Sequence, residues 1–172
     1  MKKILALTMA CSIAICSAGC GSKPVTPPPG MSAMEMLPEN ATPVETVTAD
    51  FQDKVNSGSY KSTEELATAL AEADYLPFDG AVMQVEEGWL NGFSEEISGF
   101  QEGYMFGPVI GSIPFVGYVF VVNDDVKPLD FMKTLDEAAD LGWNICTQAD
   151  EKSSAAVNET VCFVMAPASF EE

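Results

Sequence analysis

Hydrophobic and polar positions follow several different rhythms along this chain, and each rhythm predicts a different kind of element. Val44, Val47, Phe51 and Val55 recur at three- and four-residue spacing, the period of a helix that buries one face. Thr42-Pro43-Val44-Glu45 opens that run as a capping box with proline in the first helical position, and Gly58 stops it. Ser62-Thr63-Glu64-Glu65 repeats the box ahead of Leu66, Ala67, Leu70 and Ala71, a second helical face that Pro77 closes.

The rhythm then changes. Ala81 to Glu87 alternates loosely and reads as a strand, while the spacing of Phe93, Ile97 and Phe100 predicts a short helix. Gly103 to Val122 carries no charge and is long enough to span a bilayer. Glycines and prolines interrupt it, Glu102 and Asp124 flank it, and no lysine or arginine stands near to orient it, so the membrane reading fails. Tyr118-Val119-Phe120-Val121-Val122 has instead the β-branched and aromatic content of a buried central strand entered through a Gly/Pro-rich bend. Pro128 opens a third helix with Phe131 or Met132, Leu135, Ala138 and Ala139 on its apolar stripe and Gly142 as its stop. Trp143 to Gln148 and Thr160 to Met165 read as strands, with a shorter one at Ala155 to Val157. Helices first, then strand, helix and meander predict an α+β domain: an antiparallel or mixed sheet of about four strands with helices packed on one face.

Ahead of this domain the pattern is of another kind. Met1-Lys2-Lys3 precedes an uncharged run from Ile4 to Gly21 that contains Ser17-Ala18-Gly19-Cys20, the layout of a signal peptide cut beside small residues. The cysteine at the cut resembles a bacterial lipobox, with Ser17 where an aliphatic residue is usual, and it predicts lipidation of Cys20. From there to Pro43 the chain holds six of its eleven prolines and no apolar period, as an extended tether does. The expected organisation is therefore residues 1–19 signal peptide, 20–43 lipidated cysteine and Pro-rich tether, 44–167 one α+β domain, and 168–172 an acidic tail.

Charge narrows the partners. Beyond the signal, six lysines face 26 acidic residues, a net of −20, with no arginine and no histidine. Nucleic acid is excluded, since its binding rests on basic side chains at the phosphates, and anionic lipid heads and wall polymers are repelled in the same way. Without histidine the commonest general base and metal ligand are gone, together with the Ser-His-Asp and Cys-His arrangements. Without arginine there is no bidentate clamp for phosphate or carboxylate. No cofactor is implied. Outside the membrane Cys146 and Cys162, on what read as successive strands, either form a cross-strand disulfide or remain buried thiols.

Acidic doublets recur at Glu86-Glu87, Glu95-Glu96, Asp124-Asp125, Asp136-Glu137 and Asp150-Glu151. Adjacent side chains diverge on helices and strands, so a doublet alone builds no catalytic pair, and no calcium-wrapping Asp-x-Asp-x-Asp-Gly loop occurs. There is no Ser-x-x-Lys, and Gly103, Gly107, Gly111 and Gly117 lack the Gly-Lys-Ser/Thr of a phosphate loop. Trp89 and Trp143, with Phe106, Phe115 and Tyr118, supply apolar surface for a core or for a groove.

The run Gly107-Pro108-Val109-Ile110-Gly111-Ser112, the strand Tyr118-Val119-Phe120-Val121, the segments Trp143-Asn144-Ile145-Cys146 and Ala149-Asp150-Glu151, and Val161-Cys162-Phe163-Val164-Met165 together resemble a family of small uncharacterised lipoproteins of anaerobic Gram-positive bacteria, a domain of unknown function. The likeness spans roughly residues 80 to 166. It implies a lipid-anchored surface domain and brings no catalytic residue.

These readings lead to a non-enzymatic, membrane-anchored surface lipoprotein on the outer face of the cytoplasmic membrane, a binding or accessory module for a protein or small-molecule partner. Two alternatives accompany it. One is a carboxylate hydrolase of wall glycan or peptide using acids among Glu86, Glu87, Glu95 and Glu96; the other is a calcium-stabilised surface domain.

Overall fold

Five strands form one antiparallel sheet in the computed structural model, which describes residues 31–170. Across the sheet the order is β1 (Gly80–Val85), β4 (Phe100–Pro108), β5 (Val116–Val122), β7 (Thr160–Ala166) and β6 (Glu151–Val157), while β2 (Gly88–Trp89) and β3 (Glu96–Ile97) pair separately. Helices α1 (Pro43–Ser57), α2 (Thr63–Ala71) and α3 (Pro128–Ala138) pack against the sheet, and a 3-10 turn (Met34–Met36) precedes them. The fold is α+β.

The caps act where the sequence places them. The Thr42 N–H donates to Glu45 Oε2 at 3.0 Å, the Glu65 N–H donates to Ser62 Oγ at 3.1 Å, and Gly58 ends α1 at φ +64°, a left-handed cap that glycine adopts without cost. The apolar run Tyr118–Val122 is the middle strand of five, as its composition predicts.

Alternation along that strand sends large apolar groups to both faces of the sheet, and this sets the layering. Val119, Cys162, Val164, Tyr104 and Phe106 face α1 and α2, packing with Val47, Phe51, Leu66 and Leu70. Tyr118, Phe120, Val122, Phe163 and Met165 face the other way, against Phe131, Met132 and Leu135 of α3 and against Phe93 and Ile97. The helices therefore lie on both faces, not one as expected, because β5 and β7 carry bulky residues in both parities and a single cover would leave half of them wet.

Four further expectations change. Phe93, Ile97 and Phe100 are not helical: Gly92 and Gly99 take φ of +89° and +105°, which breaks any helix, and the three side chains converge on Tyr118 and Phe120 from the β2–β3 hairpin and the start of β4. Gly103 to Pro108 is strand β4, not bend. Helix α3 stops at Ala138, short of Gly142, as Ala139 bridges to Phe93. Trp143 to Gln148 is a loop crossing the α3 face, while the sheet place expected for it goes to β6, which starts at Glu151.

Order begins before Pro43. The Ala33 and Met34 N–H groups donate to Asp53 at 2.6 and 3.0 Å, Ser32 Oγ donates to the same carboxylate, and Ala33 is buried. Of the stretch expected to be tether, residues 31–43 are therefore ordered against α1; the stretch 1–30, with the expected signal and Cys20, lies outside the described residues. The expected tail also docks: Ala168 N–H donates to Asp150 at 3.0 Å and Phe170 packs on Phe78 and Phe115.

Burial would raise the pKa of Asp53, but Ser32, Met34 and Ala33 together outweigh it and hold the carboxyl below its ordinary value. A lowered folded pKa stabilises above the unfolded value, and the contribution is lost as pH falls through the folded one. Asp53→Asn is expected to cost about 1–3 kcal/mol of local stability and to speed proteolysis between residues 31 and 43. Unchanged cleavage would show that the carboxylate does not hold this segment.

Candidate functional site

One helix cannot cover five strands. On its face of the sheet α3 lies over β6 and β7, and the 88–99 segment covers the middle, where Tyr118 Oη donates to the Asn91 carbonyl at 2.7 Å. That segment is tied to the end of α3 by Ser94 N–H to the Ala138 carbonyl at 2.8 Å and Asp140 N–H to the Gly92 carbonyl at 2.9 Å. The β1–β4 part of the face stays open, with Ala81, Met83 and Met105 as its floor.

Two loops wall this opening. Pro108 and Pro114 bracket the β4–β5 connection, which is folded tightly by Ser112 N–H to the Ile110 carbonyl and Phe115 N–H to the Ile113 carbonyl, both at 2.8 Å. Opposite it runs Trp143-Asn144-Ile145, and Asn144 Nδ2 donates across to the Gly111 carbonyl at 3.1 Å. The result is a groove of about 460 Å³ lined chiefly by Met83, Met105, Val109, Ile113, Trp143 and Ile145, within the range of ligand sites. No charged side chain lines it; the side-chain polar groups are the amides of Asn91 and Asn144 and the indole N–H of Trp143. At its rim Val109 is 67 %, Ile110 75 % and Ile145 99 % exposed. Apolar surface gathered this way on a highly charged domain makes the groove the candidate site.

A second cleft, of about 680 Å³, lies between α1, α3 and β6, but most of its charged side chains already have partners. Lys152 pairs with Asp136 at 3.1 Å, Glu45 accepts from Thr42, and Asp150 from Ala168.

The groove takes in some residues the sequence singled out and not others. Trp143, Phe106 and Phe115 line it, Tyr118 is fully buried core, and Trp89 stands exposed on β2, outside the lining. Sequence reasoning missed Met83, Val109, Ile110 and Ile145. Their signal was present in Pro108-Val109-Ile110-Gly111, where two branched apolar residues sit in a turn and have no face to bury.

Of the hydrolase acids, Glu86, Glu87, Glu95 and Glu96 line neither cleft. Glu87 Oε1 instead accepts from the Gly99 and Phe100 N–H groups at 2.6 and 3.2 Å, closing the turn into β4. Among the described residues no group of three or more Asp, Glu, Cys or His side chains is placed to hold a metal ion.

Of the two states left open for Cys146 and Cys162, the cross-strand bridge is not formed. Cys162 is buried on β7 against the α1–α2 layer and Cys146 is exposed on the loop at the opposite face, both as free thiols. Burial pushes the Cys162 thiol well above its usual range, with Asp50 adding to the shift. Cys146 should therefore react with a maleimide in the folded protein and Cys162 only after unfolding, as read by peptide mass spectrometry; equal labelling of the two in the folded state would contradict this placement.

Compared with protein-family models, with curated proteins and with solved structures, the chain matches none.

Proposed function

We propose that this chain is a lipid-anchored surface protein whose domain binds a partner in the groove between β1, β4 and the 109–114 and 143–146 loops. The single observation that carries the reading is the groove itself: an uncharged recess lined by exposed Val109 and Ile145, with exposed Ile110 beside Val109 in the same loop, in a chain of net charge −18. Exposed branched side chains lose solvent contact only when something covers them, at roughly 25 cal/mol per Å² of apolar area. Binding is also what the residue types can do, since the recess offers two amides, an indole N–H and no acid, base or nucleophile. The Ser17-Ala18-Gly19-Cys20 pattern and the lipoprotein resemblance support anchoring through Cys20, which would hold the groove on the outer side of the membrane.

The test is a photo-crosslinking residue at position 145, with a matched one at Leu129, an exposed apolar position on α3 away from the groove (64 % exposed). On intact cells the probe at 145 is expected to capture a reproducible partner that the probe at 129 does not. Equal capture at both positions would reject the groove. Radiolabelled palmitate should enter the protein and be absent from Cys20→Ser; label that survives the substitution would reject the anchor.

A further inference from the structure

The groove opens onto a bare sheet edge, and the two features together specify the shape of a partner. Strand β1 is an outer strand. Among the described residues no backbone N–H or C=O of Gly80–Val85 bonds to backbone outside the β1–β4 ladder, and apart from β4 only α2, on the far face, packs on it. Free edges are ordinarily blunted by lysine, proline, bulges or a covering element. Gly80-Ala81-Val82-Met83-Gln84-Val85 carries no charge and no proline, and its pairing with β4 has no register shift. The other edge differs in charge and in cover: β6 begins Glu151-Lys152, Lys152 is paired to Asp136, and α1 and α3 both pack on the strand.

Charge selects the occupant. Exposed Asp79 and Glu86 stand just beyond the two ends of β1, about 23 Å apart at strand rise. A second copy added antiparallel about a twofold axis would set Gly80 against Val85 and therefore Asp79 against Glu86 at both ends, and like charges directly opposite each other destabilise a ladder. An extended segment with basic residues at its ends meets the same carboxylates with the opposite sign.

We propose that the partner is a protein presenting an extended segment of alternating apolar residues flanked by lysine or arginine, which adds to the sheet alongside β1. The proposal rests on the groove reading: the main chain pairs with the free edge, and every second side chain falls on the face of Ala81 and Met83, toward the groove. Main-chain pairing supplies affinity and the groove supplies the side-chain preference.

The probe is a synthetic peptide of alternating valine and threonine with paired lysines at both ends, titrated into the full chain while amide chemical shifts are followed. Amides of Gly80–Val85 are expected to shift and those of β6 to stay. Replacing the peptide lysines by glutamate should weaken binding at least tenfold, and methylating alternate peptide nitrogens should abolish it. A methylated peptide that binds equally, shifts confined to the 109–114 and 143–146 loops, or no peptide binding while the crosslink at position 145 persists would each overturn edge addition and leave the groove reading standing. Indifference to the lysine-to-glutamate change would overturn the basic partner. Sedimentation showing self-association, with the β1 shifts appearing on concentration alone, would make a second copy the occupant and overturn the proposal. Loss of both the peptide shifts and the crosslink would reject groove and edge together.

Discussion

Phe120→Ala is expected to lower the unfolding free energy by about 3–5 kcal/mol, a large share of the 5–15 kcal/mol that holds a typical domain together. Phe120 is fully buried on the middle strand. Its ring stacks on Tyr118 at 5.3 Å and 6°, meets Phe131 of α3 edge-on at 5.3 Å and 84°, and lies 4.7 Å from Phe100. Truncation leaves a cavity bounded by three rings that cannot all collapse into it, since two belong to sheet strands and one to a helix. Urea denaturation followed by tryptophan fluorescence measures the loss. A decrease below about 1 kcal/mol would mean that α3 does not seat on this face of the sheet.

The second large effect comes from adding atoms. A Cβ at Gly117 would stand 2.2 Å from Phe106 Cζ and 2.5 Å from both ε carbons, well inside contact distance. Phe106 lies across the strand from Gly117 and is fully buried in the layer under α1 and α2, so its ring can move only by disturbing the packing around it. Gly117→Ala should cost about 1–3 kcal/mol or more by overpacking. The discriminating experiment is a double-mutant cycle with Phe106→Leu: if the ring is the obstacle, the pair loses less than the sum of the two single changes. Strict additivity would place the cost of Gly117→Ala elsewhere.

Much of the architecture is legible in the residues, for identifiable reasons. The capping residues at Thr42 and Ser62 and the proline at 128 mark three helix starts, because unpaired N–H groups at a helix start need such partners. The apolar runs Tyr118–Val122 and Val161–Met165 have the content of strands buried on both sides, and they are β5 and β7. Strand β4 is hidden because Gly103 and Gly107 interrupt its apolar alternation, and because a register shift between Phe100 and Glu102 moves its phase. The glycines are there for packing: a Cβ at Gly103 would strike Phe100 and Phe120 at 2.8 and 3.0 Å.

Where the local pattern misleads, a longer-range contact decides. Phe93, Ile97 and Phe100 have helical spacing, yet their burial comes from the sheet beneath them and from the bridge to Ala139. Trp143-Asn144-Ile145-Cys146 has strand composition but no ladder, since β7 already pairs with β5 and β6. That error concealed the site, for the first three of these residues supply one wall of the groove. The other wall, Val109 and Ile113, could have been suspected from apolar residues held in a turn; the bare edge of β1 could not, because strand order is a property of the whole sheet and not of any segment.

At the centre of this account is an open edge at β1 beside an apolar groove, and amide hydrogen exchange on the isolated protein tests it most directly. In a sheet edge, amides that point to the neighbouring strand are protected and those that point outward are not. Within Gly80–Val85 every second amide is expected to exchange at the rate of exposed loops, while Val116–Val122 is protected throughout. Uniform slow exchange along Gly80–Val85 would contradict the account, because it would mean that the edge is already covered.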